Sequence, residues 1–332
     1  MKNIRKLFAF MVFSLLVLSL VGCKNDSMIK IGILQYISHD ALDNARLGFI
    51  QALEEAGYID GENIKINYLN PQAEASTMQT QAAKLVRESD LILAIATPAA
   101  QAVNDAAKNR GKKIPILFTA VTDPVDAGLV ESMEKPGGKV TGTSDMNPVA
   151  EQISLVKKLK PEASKIGIIY TSSESNSEIQ ANIAKDVAIE IGLVPTVNTI
   201  STLSDIQAAL TNLITNVKVD AIYVPTDNLL ASSMGAIETI ITEYKSFKVP
   251  VIAGETSQVR TGGSITYGLS YFNLGHDTGK MAVRIIKGDN PADIAVTMVS
   301  VVDLVINKKQ LEEVLGLVVP EILLLNASEV LE

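Results

Sequence analysis

Two stretches of similar sequence, KIGILQYISHD at 30–40 and KIGIIYTSSES at 165–175, open two parts of this 332-residue chain. Each stretch has the pattern of a β-strand followed by a turn and the start of a helix. The two helices are expected to end at the same offset, at Gly57 and Gly192, because a left-handed helix cap favours glycine. The sequence therefore predicts the same strand, turn and helix at two places in the chain.

Two further pairs of fragments recur in the same order. KIPI at Lys113 is matched by KVPV at Lys248, which is the same spacing as between the two opening strands. GGKVTGTS at Gly137 is matched by GGSITYGLS at Gly262. Four matches in one order indicate that the protein consists of two similar halves.

Each half alternates short β-rich runs with amphipathic helical stretches. The predicted helix at 41–56 places Leu42, Ala45, Phe49 and Leu53 on one stripe. Regular alternation is typical of βαβ units with right-handed crossovers, so we predict an α/β protein with two doubly wound parallel-sheet lobes. The predicted strands are 30–34, 64–68, 91–96, 116–119 and 140–143 in the first half, and 166–170, 194–200, 221–224, 251–253 and 264–269 in the second.

The halves are not separated by a linker rich in proline or glycine. TSDMNP at 143–148 leads into the next helix, with Asn147 as the expected N-cap and Pro148 as the first helical residue. The matching LSYFNLGHD at 269–277 leads into a predicted helix at 274–287, which we expect to return to the first lobe, so that several chain segments form a hinge. We therefore predict residues 30–145 and 272–300 in lobe 1, and residues 146–271 and 301–332 in lobe 2.

The N-terminus has the features of a secretory signal over residues 1–22. A basic start precedes an apolar run at 7–21, which is shorter than the ~20 residues that a membrane span needs. The run ends in Leu-Val-Gly-Cys, which resembles a bacterial lipobox, and Cys23 is the only cysteine of the chain. We expect Cys23 to be lipidated and residues 23–29 to be a tether to the outer face of the membrane. A single cysteine excludes an internal disulfide.

Composition restricts the class of protein. The formal net charge of −8 argues against a nucleic-acid partner or a basic membrane-binding face. Hydrophobic residues make up 47% of the chain and aromatic residues only 5%, with no tryptophan. A core built mainly from Ile, Val, Leu and Ala is typical of parallel strands that are buried on both faces.

Ligands of open parallel sheets bind beyond the carboxyl ends of the strands. The residues that follow the predicted strands are rich in hydroxyls and carboxylates and contain no lysine or arginine, which suits a small ligand with several donors or an ammonium group. The candidate ligand-binding residues are Gln35, Tyr36, His39, Thr97, Thr119, Ser144, Asp145, Ser172, Ser173, Asn176, Thr226, Asp227, Asn228, Glu255 and Ser270.

Structural roles compete with binding at several of these positions. Asn176 could cap a helix, and Asp227 could start a turn. Asp145 and Glu255 are the better candidates for binding, because a carboxylate buried at a sheet terminus calls for a cation. His39 fits either an exposed turn or a donor in the cleft. The ring of Tyr36 could stack on a planar ligand.

Several chemistries lack the residues that they require. With two histidines and one cysteine already assigned to lipid, a His/Cys metal site is not expected. Neither a dinucleotide nor a P-loop fingerprint occurs, and there is no G-x-S-x-G elbow. We therefore expect no cofactor, no metal and no catalytic residue.

Several motifs resemble those of one family, and the resemblance covers nearly the whole mature chain. FTAVTDPVDAGLV from Phe118, GTSDMNPVAEQISLVKKLKP from Gly142 and GLVVPEILLLNASEVL from Gly316 are similar to the solute-binding lipoproteins of ABC importers, in the branch associated with tryptophan and tyrosine uptake. The resemblance implies the type I periplasmic-binding-protein fold and a ligand closed between the lobes. It also implies an exported monomer that delivers its ligand to a membrane permease powered by an ATPase.

The resemblance also implies roles for particular residues. Thr97 and Thr119 match the positions that hold the carboxylate of an amino-acid ligand, while Asp145, Asp227 or Glu255 would hold its ammonium. The cleft loops lack the arginine with which other amino-acid binders clamp the carboxylate. Two alternatives stay open: a lipid-anchored sensor domain of the same fold, and an exported enzyme that uses the cleft carboxylates.

Overall fold

The protein is described by a computed structural model over residues 28–298 and 301–332. The first half folds as alternating strands and helices. These elements are β1 (Ile29–Gln35), α1 (Asp40–Glu55), β2 (Ile64–Leu69), α2 (Ala75–Glu88), β3 (Leu91–Ile95), α3 (Thr97–Asn109), β4 (Ile116–Val121) and β5 (Val140–Ser144). Every residue of β3, β4 and β5 is buried, as expected for strands covered on both faces.

The second half repeats the alternation. Its elements are α4 (Val149–Leu159), β6 (Lys165–Thr171), α5 (Ser175–Glu190), β7 (Val194–Ile200), α6 (Ile206–Thr211), β8 (Ala221–Val224), α7 (Asn228–Ala231), α8 (Met234–Glu243), β9 (Val251–Ala253), α9 (Thr256–Arg260) and β10 (Ile265–Gly268). The chain ends with α10 (Tyr271–Ile286), β11 (Thr297–Met298), β12 (Asp303–Asn307), α11 (Glu321–Asn326) and β13 (Glu329–Leu331). All ten strands predicted from the sequence are present.

The strands form two sheets with equivalent topology. The first sheet has the order β11-β5-β4-β3-β1-β2, and the second has the order β13-β12-β10-β9-β8-β6-β7. The order β5-β4-β3-β1-β2 is thus repeated as β10-β9-β8-β6-β7, which confirms two similar halves. The first sheet is entirely parallel. In the second, β12 pairs antiparallel with β10, and all other neighbouring strands pair in parallel.

Each sheet has its own hydrophobic core, and we call the two bodies lobe 1 and lobe 2. The chain passes between the sheets after β5, after β10, and between β11 and β12. After the first passage, α4 begins at Val149, with Pro148 rather than Asn147 at the N-cap position. Asn147 instead bridges the passages: its Nδ2 donates to the Asp145 carbonyl, and its Oδ1 accepts from the Leu269 amide.

Helix α10 lies on lobe 1, where it packs against α1 and against β4 and β5. Glycines allow the two helix backbones to approach closely. A Cβ on Gly275 would lie 1.8 Å from the Ala45 carbonyl oxygen, and one on Gly48 would lie 2.0 Å from the Phe272 carbonyl oxygen. Both helices begin at the edge of the sheet that faces lobe 2, so this packing fixes their first residues at the cleft.

Candidate functional site

A small cavity lies between the lobes, at the carboxyl ends of strands from both sheets. Lobe 1 contributes residues after β1, β4 and β5, and lobe 2 contributes residues after β6, β8 and β9. The side chains around it include three carboxylates and no lysine or arginine. The lining residues are His39, Leu42, Ala120, Thr122, Asp145, Asn176, Thr226, Asp227, Asn228, Ala231, Glu255, Gln258 and Tyr271.

Seven of the residues predicted from the sequence line this cavity: His39, Asp145, Asn176, Thr226, Asp227, Asn228 and Glu255. The other predicted residues do not line it. Gln35 is buried in lobe 1 and bonds Asp43 and Arg46. Ser172 and Ser173 are exposed, and Ser270 caps α10 by accepting from the Asn273 amide.

Asp145 is held by hydroxyl groups. Its Oδ2 accepts from the Tyr271 hydroxyl at 2.6 Å, and its Oδ1 accepts from the Thr122 hydroxyl at 3.1 Å. The Ser144 hydroxyl donates to the Thr122 carbonyl and so helps to position this loop. Burial raises the pKa of Asp145 above its usual value, although both hydroxyl donors favour the ionised form.

Asp227 and Glu255 cap short helices of lobe 2. The Asp227 carboxylate accepts from the Leu230 amide and from both the amide and the hydroxyl of Thr171. The Glu255 carboxylate accepts from the amides of Ser257 and Gln258. Burial raises the pKa of Glu255 to about 7, against the effect of these amides. Both side chains line the cavity, but their oxygens are already hydrogen bonded within lobe 2.

Glu174 is a fourth buried carboxylate at the cleft, and it was not predicted from the sequence. It is 1% exposed and accepts from the Asn228 amide, from Nδ2 of Asn228, from Nδ2 of Asn176 and from the Leu229 amide. Burial and the nearby Asp227 raise the pKa of Glu174. All four partners are N–H donors, which favour the ionised carboxylate and oppose this rise.

The internal repeat could have revealed Glu174. When the two opening strands are aligned, Glu174 falls on the position of His39, and each residue immediately precedes the first residue of a helix, α5 or α1. In the structure both residues contact Asn228, since Nε2 of His39 lies 3.4 Å from its Oδ1. The two halves therefore place equivalent positions on opposite sides of one asparagine.

The lobes touch across the cleft. His39 of lobe 1 meets Asn228 of lobe 2, and Nε2 of Gln180 in lobe 2 donates to the Thr122 hydroxyl in lobe 1 at 3.4 Å. Burial lowers the pKa of His39 to about 4, so its imidazole is neutral at pH 7. Burial and the charges of Glu174 and Asp227 raise the pKa of the Tyr36 hydroxyl. These contacts close the cleft, and buried carboxylates lie around it.

Two polar atoms near the cleft are buried without a partner among the described residues: Oγ1 of Thr97 and Oδ1 of Asn176. Thr97 follows Ala96, which has a φ of 80°. Ala120, at the corresponding end of β4, has a φ of 56°. Non-glycine residues with such values are strained and concentrate at functional sites. The hydroxyl of Thr119, by contrast, bonds that of Thr143 at 3.0 Å.

The sequence pattern of the ABC transporter substrate binding protein family matches residues 30–331. The chain belongs to this family. Proteins of the family carry a small molecule to the permease of an ABC transporter. The family predicted from the sequence is thereby confirmed.

This substrate-binding protein has relatives in several bacteria. It is 44% identical over 284 residues to the tyrosine-binding protein of Clostridioides difficile, which covers 85% of this chain and 80% of that relative. The crystal structure of an ABC domain in complex with L-Trp from Streptococcus pneumoniae matches with 38% identity and a TM-score of 0.85, over 92% of this chain and 100% of that one. The predicted type I periplasmic-binding-protein fold is confirmed.

A solved structure of a ligand-free relative matches with a lower TM-score. A ligand-free, open substrate-binding protein from Clostridium difficile is 42% identical and covers 91% of this chain and 99% of its own, yet its TM-score is 0.68. The complex with L-Trp therefore has the higher TM-score at the lower sequence identity.

Two other properties concern only the residues that the structure describes. Within 28–298 and 301–332, no cluster of three or more His, Cys, Asp or Glu side chains could bind a metal ion. Over the same ranges, no helix is long and apolar enough to cross a bilayer. The predicted signal peptide at 1–22 and Cys23 lie outside the described residues.

Proposed function

We propose that the protein captures an aromatic amino acid, tyrosine or tryptophan, between its lobes and delivers it to an ABC permease. The observation that carries this proposal is a closed cavity with three buried carboxylates and no lysine or arginine, in a chain of this family. Carboxylates buried around a cavity require a compensating positive charge, which the ammonium group of an amino acid supplies.

The ligands of two relatives guide the choice within this class, since one is a tyrosine-binding protein and the other was crystallised with L-Trp. The relatives are binding proteins, and we propose the same role here, without catalysis.

Ligand identity can be tested by thermal unfolding of the chain from residue 24 onward in the presence of each of the twenty amino acids, followed by titration calorimetry of those that stabilise it. A ligand at 100 times its dissociation constant adds about 2.7 kcal/mol to the free energy of unfolding. We expect tyrosine or tryptophan to give the largest shift. A protein that none of the twenty amino acids stabilises would contradict the proposal.

We also propose that the protein is exported and anchored by a lipid on Cys23, followed by a tether at 23–29. The lipobox-like segment before the only cysteine supports this. Replacing Cys23 by Ala should abolish incorporation of radiolabelled palmitate and release the protein from the membrane fraction. Unchanged labelling of Cys23→Ala would refute the anchor and leave the ligand proposal intact.

A further inference from the structure

Two asparagines of lobe 2 share one carboxylate oxygen of Glu174. Nδ2 of Asn228 donates to Oε2 at 2.6 Å, and Nδ2 of Asn176 donates to the same oxygen at 3.3 Å. Nδ2 of Asn176 also donates to the Thr226 carbonyl at 3.0 Å, a group that can only accept. These acceptors fix the orientation of both amides, with their nitrogens toward Glu174.

The oxygens of the two amides consequently point away from Glu174. Oδ1 of Asn228 faces Nε2 of His39 in the other lobe. Oδ1 of Asn176 has no partner within residues 28–298 and 301–332, although Asn176 is only 4% exposed and lines the cavity. Buried polar atoms are nearly always hydrogen bonded, so an orphaned acceptor at a ligand cavity indicates a donor that arrives with the ligand.

The carboxylates that line the cavity are less suited to this donor. Each oxygen of Asp145, Asp227 and Glu255 already accepts at least one hydrogen bond from the protein. They make the cavity negative without offering a carboxylate oxygen that lacks a partner. This differs from the expectation that one of the three pairs directly with the ligand.

We propose that Oδ1 of Asn176 accepts a hydrogen bond from the ammonium of the bound amino acid, and that Glu174 lies behind the amide as a positioning residue and counter-charge. The inference rests on the function proposed above. Glu174 polarises the amide through its hydrogen bond to Nδ2, which makes Oδ1 a stronger acceptor. The ammonium is then recognised by the amide oxygen of Asn176, while the amide nitrogen of the same side chain is hydrogen bonded to Glu174.

The test compares two ligands that differ only in the ammonium. L-tyrosine and 3-(4-hydroxyphenyl)propionate are titrated against wild type, Asn176→Ala and the control Asn104→Ala, with L-tryptophan and indole-3-propionate as the pair if tryptophan binds more tightly. Asn104 is also buried and its Nδ2 bonds a backbone carbonyl, but it lies outside the cavity. The affinity of the analogue is measured by displacement of the amino acid.

We expect Asn176→Ala to lose roughly 10- to 100-fold in affinity for the amino acid, the size expected of a hydrogen bond to a charged group. The analogue, which has no ammonium, should bind wild type and Asn176→Ala within about threefold of each other, and Asn104→Ala should match wild type for both ligands. An equal loss for both ligands, or a loss for neither, would overturn the assignment of Asn176.

Glu174→Gln provides a second variant if Asn176→Ala fails to fold. It keeps the volume of the side chain and removes the charge, and we expect the same selective loss for the amino acid. Its matched control is Glu178→Gln, an exposed position of α5. A wild-type protein that binds no aromatic amino acid would refute the proposed function as well, whereas normal binding by both lobe 2 variants would refute this inference alone.

Discussion

The hydroxyl of Tyr271 lies between the hinge and the cavity, because it donates to Asp145 at 2.6 Å while its backbone starts α10. Tyr271→Phe would leave one buried oxygen of Asp145 without a donor. We expect the free energy of unfolding to fall by about 1–3 kcal/mol, the usual cost of an unsatisfied buried polar group. Chemical denaturation of the unliganded protein measures this change.

Tyr267→Phe is the control for this prediction. Tyr267 is only half-buried, and its hydroxyl takes part in no hydrogen bond among the described residues. The control should change the free energy of unfolding by less than about 0.5 kcal/mol. Equal stability of the two variants would show that the Tyr271 hydroxyl does not stabilise Asp145.

His39 makes the stability of the protein depend on pH. Its pKa is about 4 in the folded protein and 6.5 ordinarily, so its full contribution is present above pH 6.5. As the pH falls from 6.5 to 4, the unfolded chain binds the proton first, and the free energy of unfolding should decrease by up to about 3 kcal/mol. Denaturation at several pH values measures this decrease.

The second histidine provides the matched control. His276 pairs with Glu55 on the outer surface of α10 and α1, at 2.8 Å. His39→Gln should flatten the decline between pH 6.5 and 4, while His276→Gln should retain it. An unchanged pH dependence in His39→Gln would show that other groups control it.

The residues of the site were only partly predictable from the sequence. Asp145, Asp227 and Glu255 were found because residues after strands meet at one edge of a parallel sheet. Glu174 was missed because a short serine-rich turn before a helix is usually a solvated cap, and nothing in the local pattern shows that Asn228 will arrive beside it. Contacts of this kind depend on two loops that are distant in the chain.

At the scale of elements, the contact between α1 and α10 depends on glycines. Gly275→Ala would place a methyl group against the Ala45 carbonyl, so the helices must separate. Overpacking typically costs 1–3 kcal/mol, and contact with rigid backbone places this variant at about 3 kcal/mol or more. Thermal unfolding should show a clear loss.

Gly235→Ala in α8 is the control, because it makes the same substitution where no backbone lies against the new methyl group. No atom lies within 4 Å of the position of its new Cβ. Alanine loses less backbone entropy than glycine in a helix, so we expect a change between zero and a gain of about 1 kcal/mol. If both variants unfolded at the same temperature, close packing of α1 on α10 would be contradicted.

The elements themselves were largely predictable, since runs such as LILAI at Leu91–Ile95 have the composition of a strand buried on both faces. The strands after residue 296 were not predictable from the sequence. The sequence of β12 shows that it is apolar but not that it runs antiparallel to β10, because strand direction depends on the path of the preceding chain. The lobe boundaries at 145 and 271 stay predictions.

At the scale of the whole molecule, the closed cleft predicts a change of shape. A ligand stabilises the closed state only if it contacts both lobes, and the empty cleft gains little from closing on four buried carboxylates. We expect the radius of gyration from small-angle X-ray scattering to decrease when tyrosine or tryptophan is added. Arabinose, which we expect not to bind, is the control ligand. An identical radius with and without the amino acid would contradict closure.

The order of the elements along the chain has a consequence for export. Lobe 1 takes α10 and β11 from a part of the chain that follows ten strands, so it is incomplete until that part is available. A polypeptide that crosses a membrane from its N-terminus therefore brings β1 to β5 out long before the helix that covers α1. In an exported chain, lobe 1 would therefore finish folding only late in translocation, after β6 to β10 of lobe 2 have emerged.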